Sequence, residues 1–152
     1  MKDIHIQQIE DLMKYEHDYL VQESKEEGFN FLIKLISEYE NKINIFNKTG
    51  ECLYGIFQGE KLIGIGGLNE DPYTENNKIG RVRRFYIAKE YRRKGLGRLL
   101  LVRILGEAKK YFNIVVLHTD TEQGDKFYTS SGFVKGIKYV GASHYLNLHK
   151  RM

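Results

Sequence analysis

A chain of 152 residues, 41% apolar and 29% charged, is about the size and composition of one packed globular domain rather than a disordered segment. It has no apolar run near the roughly 18–20 residues of a membrane span, no signal-like apolar stretch at its start, and one cysteine, Cys52, too few for a disulfide framework or a cysteine-rich zinc module. We therefore expect a single cytoplasmic domain over residues 1–152, with no membrane partner.

The charge is unevenly placed. Between Lys78 and Lys110 there are twelve Lys/Arg and two Asp/Glu, an excess of +10, while the whole chain carries only +4 and the remainder is therefore at −6. Such polarity either marks a solvated face or draws an anionic partner to one segment.

In chain order, a short strand at Asp3 to Gln7 leads into a predicted helix reaching about Glu23, with Ile9, Leu12, Met13, Glu16 and Leu20 at three- and four-residue steps. A second helix is predicted from Phe29 to Tyr39, with Phe29, Leu32, Ile33, Ile36 and Tyr39 on one face. Cys52–Gln58 and Lys61–Leu68 read as a hairpin turning at Gly59-Glu60. Asn69 to Asn77 reads as a loop, and a third hairpin-linked strand follows from Arg81 to Ala88. The strongest helix runs from Gly95 to Phe112, its buried stripe being Leu96, Leu100, Ile104, Ala108 and Tyr111. Then come an apolar strand (Asn113 to His118), a short helix (Glu122 to Ser131) stopped by Gly132, and two closing strands, Phe133 to Lys138 and Ser143 to Leu148. This is an α/β domain with a mixed sheet. The strands flanking the Gly95 helix should be parallel, because a helical crossover returns the chain in the same direction.

One stretch carries chemistry. Arg84 to Arg98 places a strand, a basic turn with two glycines and a helix start in succession. The first N–H groups of a helix lack partners and sit at the positive end of its dipole, so they make an anion cradle. Gly95 and Gly97 let a diphosphate approach the backbone, and Arg92, Arg93, Lys94 and Arg98 surround it with charge. Two rival glycine loops fail. A Walker loop needs Gly-Lys-Ser/Thr where Gly97-Arg98-Leu99 stands, and a dinucleotide fingerprint needs a third glycine where Leu100 stands.

Arg92-x-x-Gly95-x-Gly97 resembles the pyrophosphate-binding motif of the GNAT superfamily of acyl-CoA-dependent N-acetyltransferases, as in small single-domain bacterial-type members. The strand Phe85-Tyr86-Ile87 precedes it and Leu99-Leu100-Leu101 follows, as in the family. Gly124 to Phe133 resembles the family's second conserved helix, with Thr121 and Gly124 where Asn and Ala are usual, and Lys89 stands in place of a common proline. The element order matches over nearly the whole chain. The resemblance implies a three-layer fold whose mixed, mostly antiparallel central sheet is splayed between two parallel strands.

It also implies roles. Phe85, Tyr86 and Ile87 would pair by backbone with the pantetheine of acetyl-CoA, and the Ile87 amide would face the thioester oxygen. Amides from Arg93 through Leu96 and Gly97 to Arg98 would hold the diphosphate. Thr121 would offer a hydroxyl to the pantetheine arm. Tyr128 would protonate the departing thiolate, the alternative being a packed core aromatic. The general base stays open among Glu70, Asp71, His118, His144 and a water chain, because the third strand supplies Arg81, Arg83 and Arg84 where the family often has Glu. Cys52 reads as a buried structural thiol, and no His/Asp/Glu spacing suggests a metal.

The implied function is acetyl transfer from acetyl-CoA to a primary amine of a small molecule or peptide by direct attack. The alternative is a non-catalytic acyl-CoA sensor or partner subunit with the same fold. Nucleic-acid binding would need stacking aromatics or a readout helix amid the charges, and Arg98, Arg103 and Lys109 offer only sparse phosphate contacts, so no nucleic-acid partner is expected. A homodimer is allowed. For the acceptor, Arg83 favours a carboxylate-bearing amine, whereas the acidic residues between Asn69 and Asn77 favour a polyamine or aminoglycoside.

Overall fold

A computed structural model describes residues 3–149. Its elements are β1 (Ile4–Gln8), a 3-10 turn (Leu12–Lys14), α1 (Asp18–Glu26), α2 (Phe31–Glu40), β2 (Cys52–Gln58), β3 (Lys61–Glu70), β4 (Ile79–Ile87), a second 3-10 turn (Lys89–Tyr91), α3 (Leu96–Ala108), β5 (Ile114–Leu117), α4 (Glu122–Ser130), β6 (Val134–Lys135) and β7 (His144–Asn147). The strands form one sheet in the order β1-β2-β3-β4-β5-β7-β6. Only β4 and β5 are parallel, joined through α3 as the crossover argument requires. The sheet is mixed and mostly antiparallel, as expected.

Both faces of the central strands are buried, which is why β2 and β3 read as continuous apolar runs. On one face Leu96, Leu100, Ile104 and Ala108 of α3 pack on Ile56, Ile63 and Val82. On the other, Leu20 of α1 and Leu32 and Leu35 of α2 cover Leu53, Phe57, Ile65 and Tyr86. These make the three layers. Each fully buried Leu or Ile contributes about 1.5–3 kcal/mol.

Local chemistry shifts several predicted boundaries. The first helix does not start after β1: Asp11 accepts from the Met13 amide at 3.0 Å and caps a single 3-10 turn, Tyr15 is extended, and α1 begins at Asp18. Met13 and Ile33, placed on apolar faces by periodicity, are exposed. At the end of α3, Lys110 and Tyr111 donate to carbonyls three residues back, which tightens the last turn and carries Tyr111 outward and Phe112 into the core. The predicted strand from Phe133 to Lys138 shrinks to Val134–Lys135, with one more bond in the same register from the Gly136 amide to the Ser143 carbonyl at 2.9 Å. β3 runs on to Glu70, into the predicted Asn69 to Asn77 loop, and β4 starts at Ile79, two residues before the predicted Arg81.

β4 and β5 pair only from Ile79 to Arg81 and from Ile114 to Val116, then diverge. Just past the split, β4 carries a bulge. Its register with β3 shifts between Ile65 and Gly67, and Arg84 takes φ +58°. No helix among the described residues is long and apolar enough to cross a membrane.

Candidate active site

A cleft of about 900 Å³ opens where β4 and β5 part. One wall is β4 from Arg81 to Ile87, another the α3 loop, and the third the end of β5 with the start of α4. Of the residues expected to hold the cofactor or protonate the thiolate, all but Lys94 and Leu96 line it. Lys94 is exposed on the loop, and the Leu96 side chain is buried in the α3 layer, leaving only its backbone at the loop.

The helix entrance is an anion site by backbone geometry. Arg93 and Gly95 are left-handed, with φ +62° and +80°, so the chain curls and α3 begins with no capping side chain and no acidic residue in its first turn. Gly95 is required by that backbone conformation. Arg93 is exposed over the entrance, and Arg98 bridges to α4 by donating to Ser130 Oγ at 3.1 Å. Arg92 departs from the expected role. Its Nη2 and Nη1 lie 2.6 and 3.1 Å from the two Glu27 oxygens, and its Nε donates to the Ile87 carbonyl at 2.8 Å. Its charge is thus matched by Glu27, and it braces the end of β4 rather than adding net charge at the entrance.

The backbone of β4 is divided between two directions. Ala88 N–H bonds the Ile63 carbonyl at 2.9 Å, and because antiparallel pairs alternate, Ile87 opposite Gly64 turns its own N–H and C=O away from β3 into the splay. Phe85 shares that direction by period two. Tyr86, opposite Ile65, turns its backbone groups toward β3, while its side chain lines the cleft.

The Tyr86 side chain has a different engagement, one the sequence did not reveal. Its hydroxyl lies 2.6 Å from Glu23 Oε2 on α1 and 2.5 Å from Glu27 Oε1, at the C-cap of that helix. Burial first, and then the two carboxylates, raises the Tyr86 pKa well above the usual phenol value. The Arg92 hydrogen bonds hold the Glu27 carboxyl below its usual range despite burial.

Tyr128 is buried against Phe85, Phe127 and Phe133, with ring centroids 6.0, 5.0 and 5.7 Å away. It also lines the cleft, and burial alone raises its pKa. It is both a packed aromatic and a proton-bearing group at the cleft wall. Thr121 caps α4, its oxygen accepting from the Gly124 amide at 2.9 Å, and its hydroxyl also lies 3.4 Å from Thr119 Oγ1. A Cβ on Gly124 would collide with Thr119 Oγ1, so an alanine here requires the Thr119 side chain to turn away, a constraint that sequence spacing does not reveal.

The candidate bases separate clearly. Asp71 is buried in an ion pair with Arg81 Nε at 2.9 Å and does not line the cleft. His144 is 1% exposed, with Nε2 2.7 Å from Asp125 Oδ1 and Nδ1 2.7 Å from Ser143 Oγ, so both nitrogens are engaged within the fold. That hydrogen bond is the main cause of a lowered Asp125 pKa. Glu70 also lies off the cleft. His118 is exposed and lines it. Cys52 is buried, and its thiol is pushed up to about 12 by that burial. Among the described residues no three metal-ligating side chains converge.

Comparison with known proteins agrees with this geometry. Residues 49–135 match the family model described as an acetyltransferase (GNAT) domain. The fold is similar to a protein of Exiguobacterium sp. 255-15 provisionally described as an acetyltransferase, with TM-score 0.84, 26% identity, and coverage of 95% of this chain and 93% of that one. A GNAT-family acetyltransferase of Staphylococcus aureus Mu50 aligns with TM-score 0.72 at 18% identity, over 95% and 99% of the two chains. A tyrosine-to-phenylalanine mutant of the AtaT toxin, bound to the C-terminus of the antitoxin AtaR and to acetyl-CoA, shares the fold with TM-score 0.67 at 16% identity, over 97% and 94%. The matched domain covers more than half of the chain, which therefore belongs to the GNAT acetyltransferase family.

Proposed function

We propose that this protein transfers an acetyl group from acetyl-CoA to the primary amine of a small acceptor by direct attack. The observation that carries the reading is one continuous cleft wall. It runs from the uncapped start of α3, past the outward-facing backbone of Ile87 and Phe85, to Tyr128.

In this reading the diphosphate rests on the amides from Arg93 to Arg98, and the pantetheine extends along β4. The Ile87 N–H donates to the thioester oxygen as it gains negative charge. The neutral amine forms the C–N bond, the C–S bond breaks, and its electron pair leaves on sulfur. Tyr128 donates its proton to that sulfur and recovers one from the ammonium of the tetrahedral intermediate, so the phenol ends the cycle protonated. Burial keeps the phenol protonated until sulfur takes the proton, and the same burial makes it a weaker acid. His118, at the cleft mouth, or water takes the proton from the incoming ammonium.

The test is CoA thiol release from acetyl-CoA against a panel of primary amines. At least one amine should accelerate release above the hydrolytic background, with the acetylated amine recovered in equal amount. A purified, folded protein that neither binds acetyl-CoA nor releases thiol with any amine contradicts the proposal.

A further inference from the structure

We infer that the amine acceptor carries a carboxylate, and that Arg83 is the residue that receives it. This rests on the acetyltransferase reading above and names the substrate class of the same site.

The placement follows from the bulge. Val82 packs in the α3 layer, so Arg83 alternates to the α2 face. A regular strand would then send Arg84 back. Instead its left-handed backbone keeps it on the α2 side, where Nη2 bonds Glu38 Oε1 at 3.0 Å, and Phe85 resumes the α3 face. Two consecutive guanidinium groups therefore share one side of the sheet.

They are undercompensated. Arg81 is matched by Asp71, Arg92 by Glu27 and Arg84 by Glu38, but Arg83 has no hydrogen bond or ion pair among the described residues. It is half-buried and lines the cleft, and the neighbouring Arg84 Nε is sealed from water without an acceptor. One carboxylate thus serves two arginines, leaving a surplus of +1 beside Phe29, Phe31 and Tyr73 at the rim. A half-buried cation without a partner costs free energy, and burial with the adjacent Arg84 charge pushes its pKa down.

A monoanion cancels this surplus, and a carboxylate presents two oxygens to the guanidinium fork. A phosphate brings about −1.5 to −2 and overcompensates. The site is separate from the diphosphate end of the cleft, because Arg83 lies before the bulge and the Arg93 to Arg98 loop after β4. With the bulge between them, Ile87 lies three rungs of β3 further along (Gly67 to Gly64), roughly 10 Å at strand rise, a span that the arginine side chain and a small amino acid bridge together. The rival acidic signal between Asn69 and Asn77 loses its central member, since Asp71 is already spent on Arg81.

The test uses free L-amino acids and dipeptides, their C-terminal amides, and O-phosphoethanolamine, with wild type, Arg83→Gln and Arg83→Lys. Acetyl-CoA binding is measured first by calorimetry, and its absence in wild type counts against the acetyltransferase reading itself. Given binding, the wild type should prefer a free acid over its amide by at least tenfold in kcat/KM. Arg83→Gln should cut that preference below threefold while acetyl-CoA still binds, and Arg83→Lys should retain part of it. The inference is overturned by any of four results: equal use of acid and amide, a preference that survives Arg83→Gln, faster turnover of the phosphate-bearing amine, or turnover of no probe by a wild type that binds acetyl-CoA.

Discussion

Arg92 and Glu27 tie the α3 loop to α1 through a two-point ion pair, with Nη2 2.6 Å from Oε1 and Nη1 3.1 Å from Oε2. The motif arginine thereby fixes the end of β4, since its Nε also holds the Ile87 carbonyl. Glu27→Gln should destabilise the fold by about 1–2 kcal/mol at pH 7, the scale of a partly exposed charged hydrogen-bond pair. That corresponds to a Tm lower by roughly 3–8 °C. The pH dependence has a definite sign. The folded Glu27 pKa lies below its unfolded value, so the stabilisation is present above about pH 4.3 and is lost as pH falls through the lower folded value. Calorimetric Tm values should differ steadily between pH 7 and 5 and converge under more acid conditions. A gap that widens on acidification contradicts this account.

Gly124 packs so closely on Thr119 that a side chain there requires Thr119 to turn away. Gly124→Ala should cost about 1–3 kcal/mol by overpacking. Thr119→Ala removes the offending oxygen, so the double variant should recover at least half of the loss in chemical denaturation. Additive losses would place the strain elsewhere.

Tyr128→Phe keeps the ring among Phe85, Phe127 and Phe133 and deletes only the hydroxyl. With an accepted amine, kcat should fall by roughly 10²–10⁴-fold while the KM for acetyl-CoA changes little. Wild-type turnover, with chemistry rate-limiting, returns Tyr128 to a purely packing role.

The parts legible in the sequence are those encoded locally. Apolar periodicity and the Gly59 turn mark the hairpin, and the run from Phe85 to Leu101 announces a strand, an anion loop and a helix. What was hidden depends on distant partners. Glu23 and Glu27 lie four apart at the end of α1 and its C-cap, a visible acidic pair, but Tyr86 and Arg92 meet them from more than 55 residues away. Asp71 and His144 look like bases in sequence and turn out to be engaged by Arg81 and Asp125, partners that only the fold supplies. The bulge at Arg84 leaves no local signal, since arginine is not a residue that favours φ +58°.

The central claim is that acetyl-CoA binds along the splay with its diphosphate on the α3 entrance. Titration calorimetry of wild type and Gly97→Glu tests it most directly. A Cβ at Gly97 meets only ordinary contacts, the nearest being 3.4 Å to the Phe127 ring, so the variant should fold. Its carboxylate, however, enters the space and the field meant for the diphosphate. The account predicts measurable acetyl-CoA binding by wild type and a loss of more than tenfold in the variant, over about 1.4 kcal/mol. Unchanged affinity in a folded Gly97→Glu protein, or no binding by wild type, would contradict it.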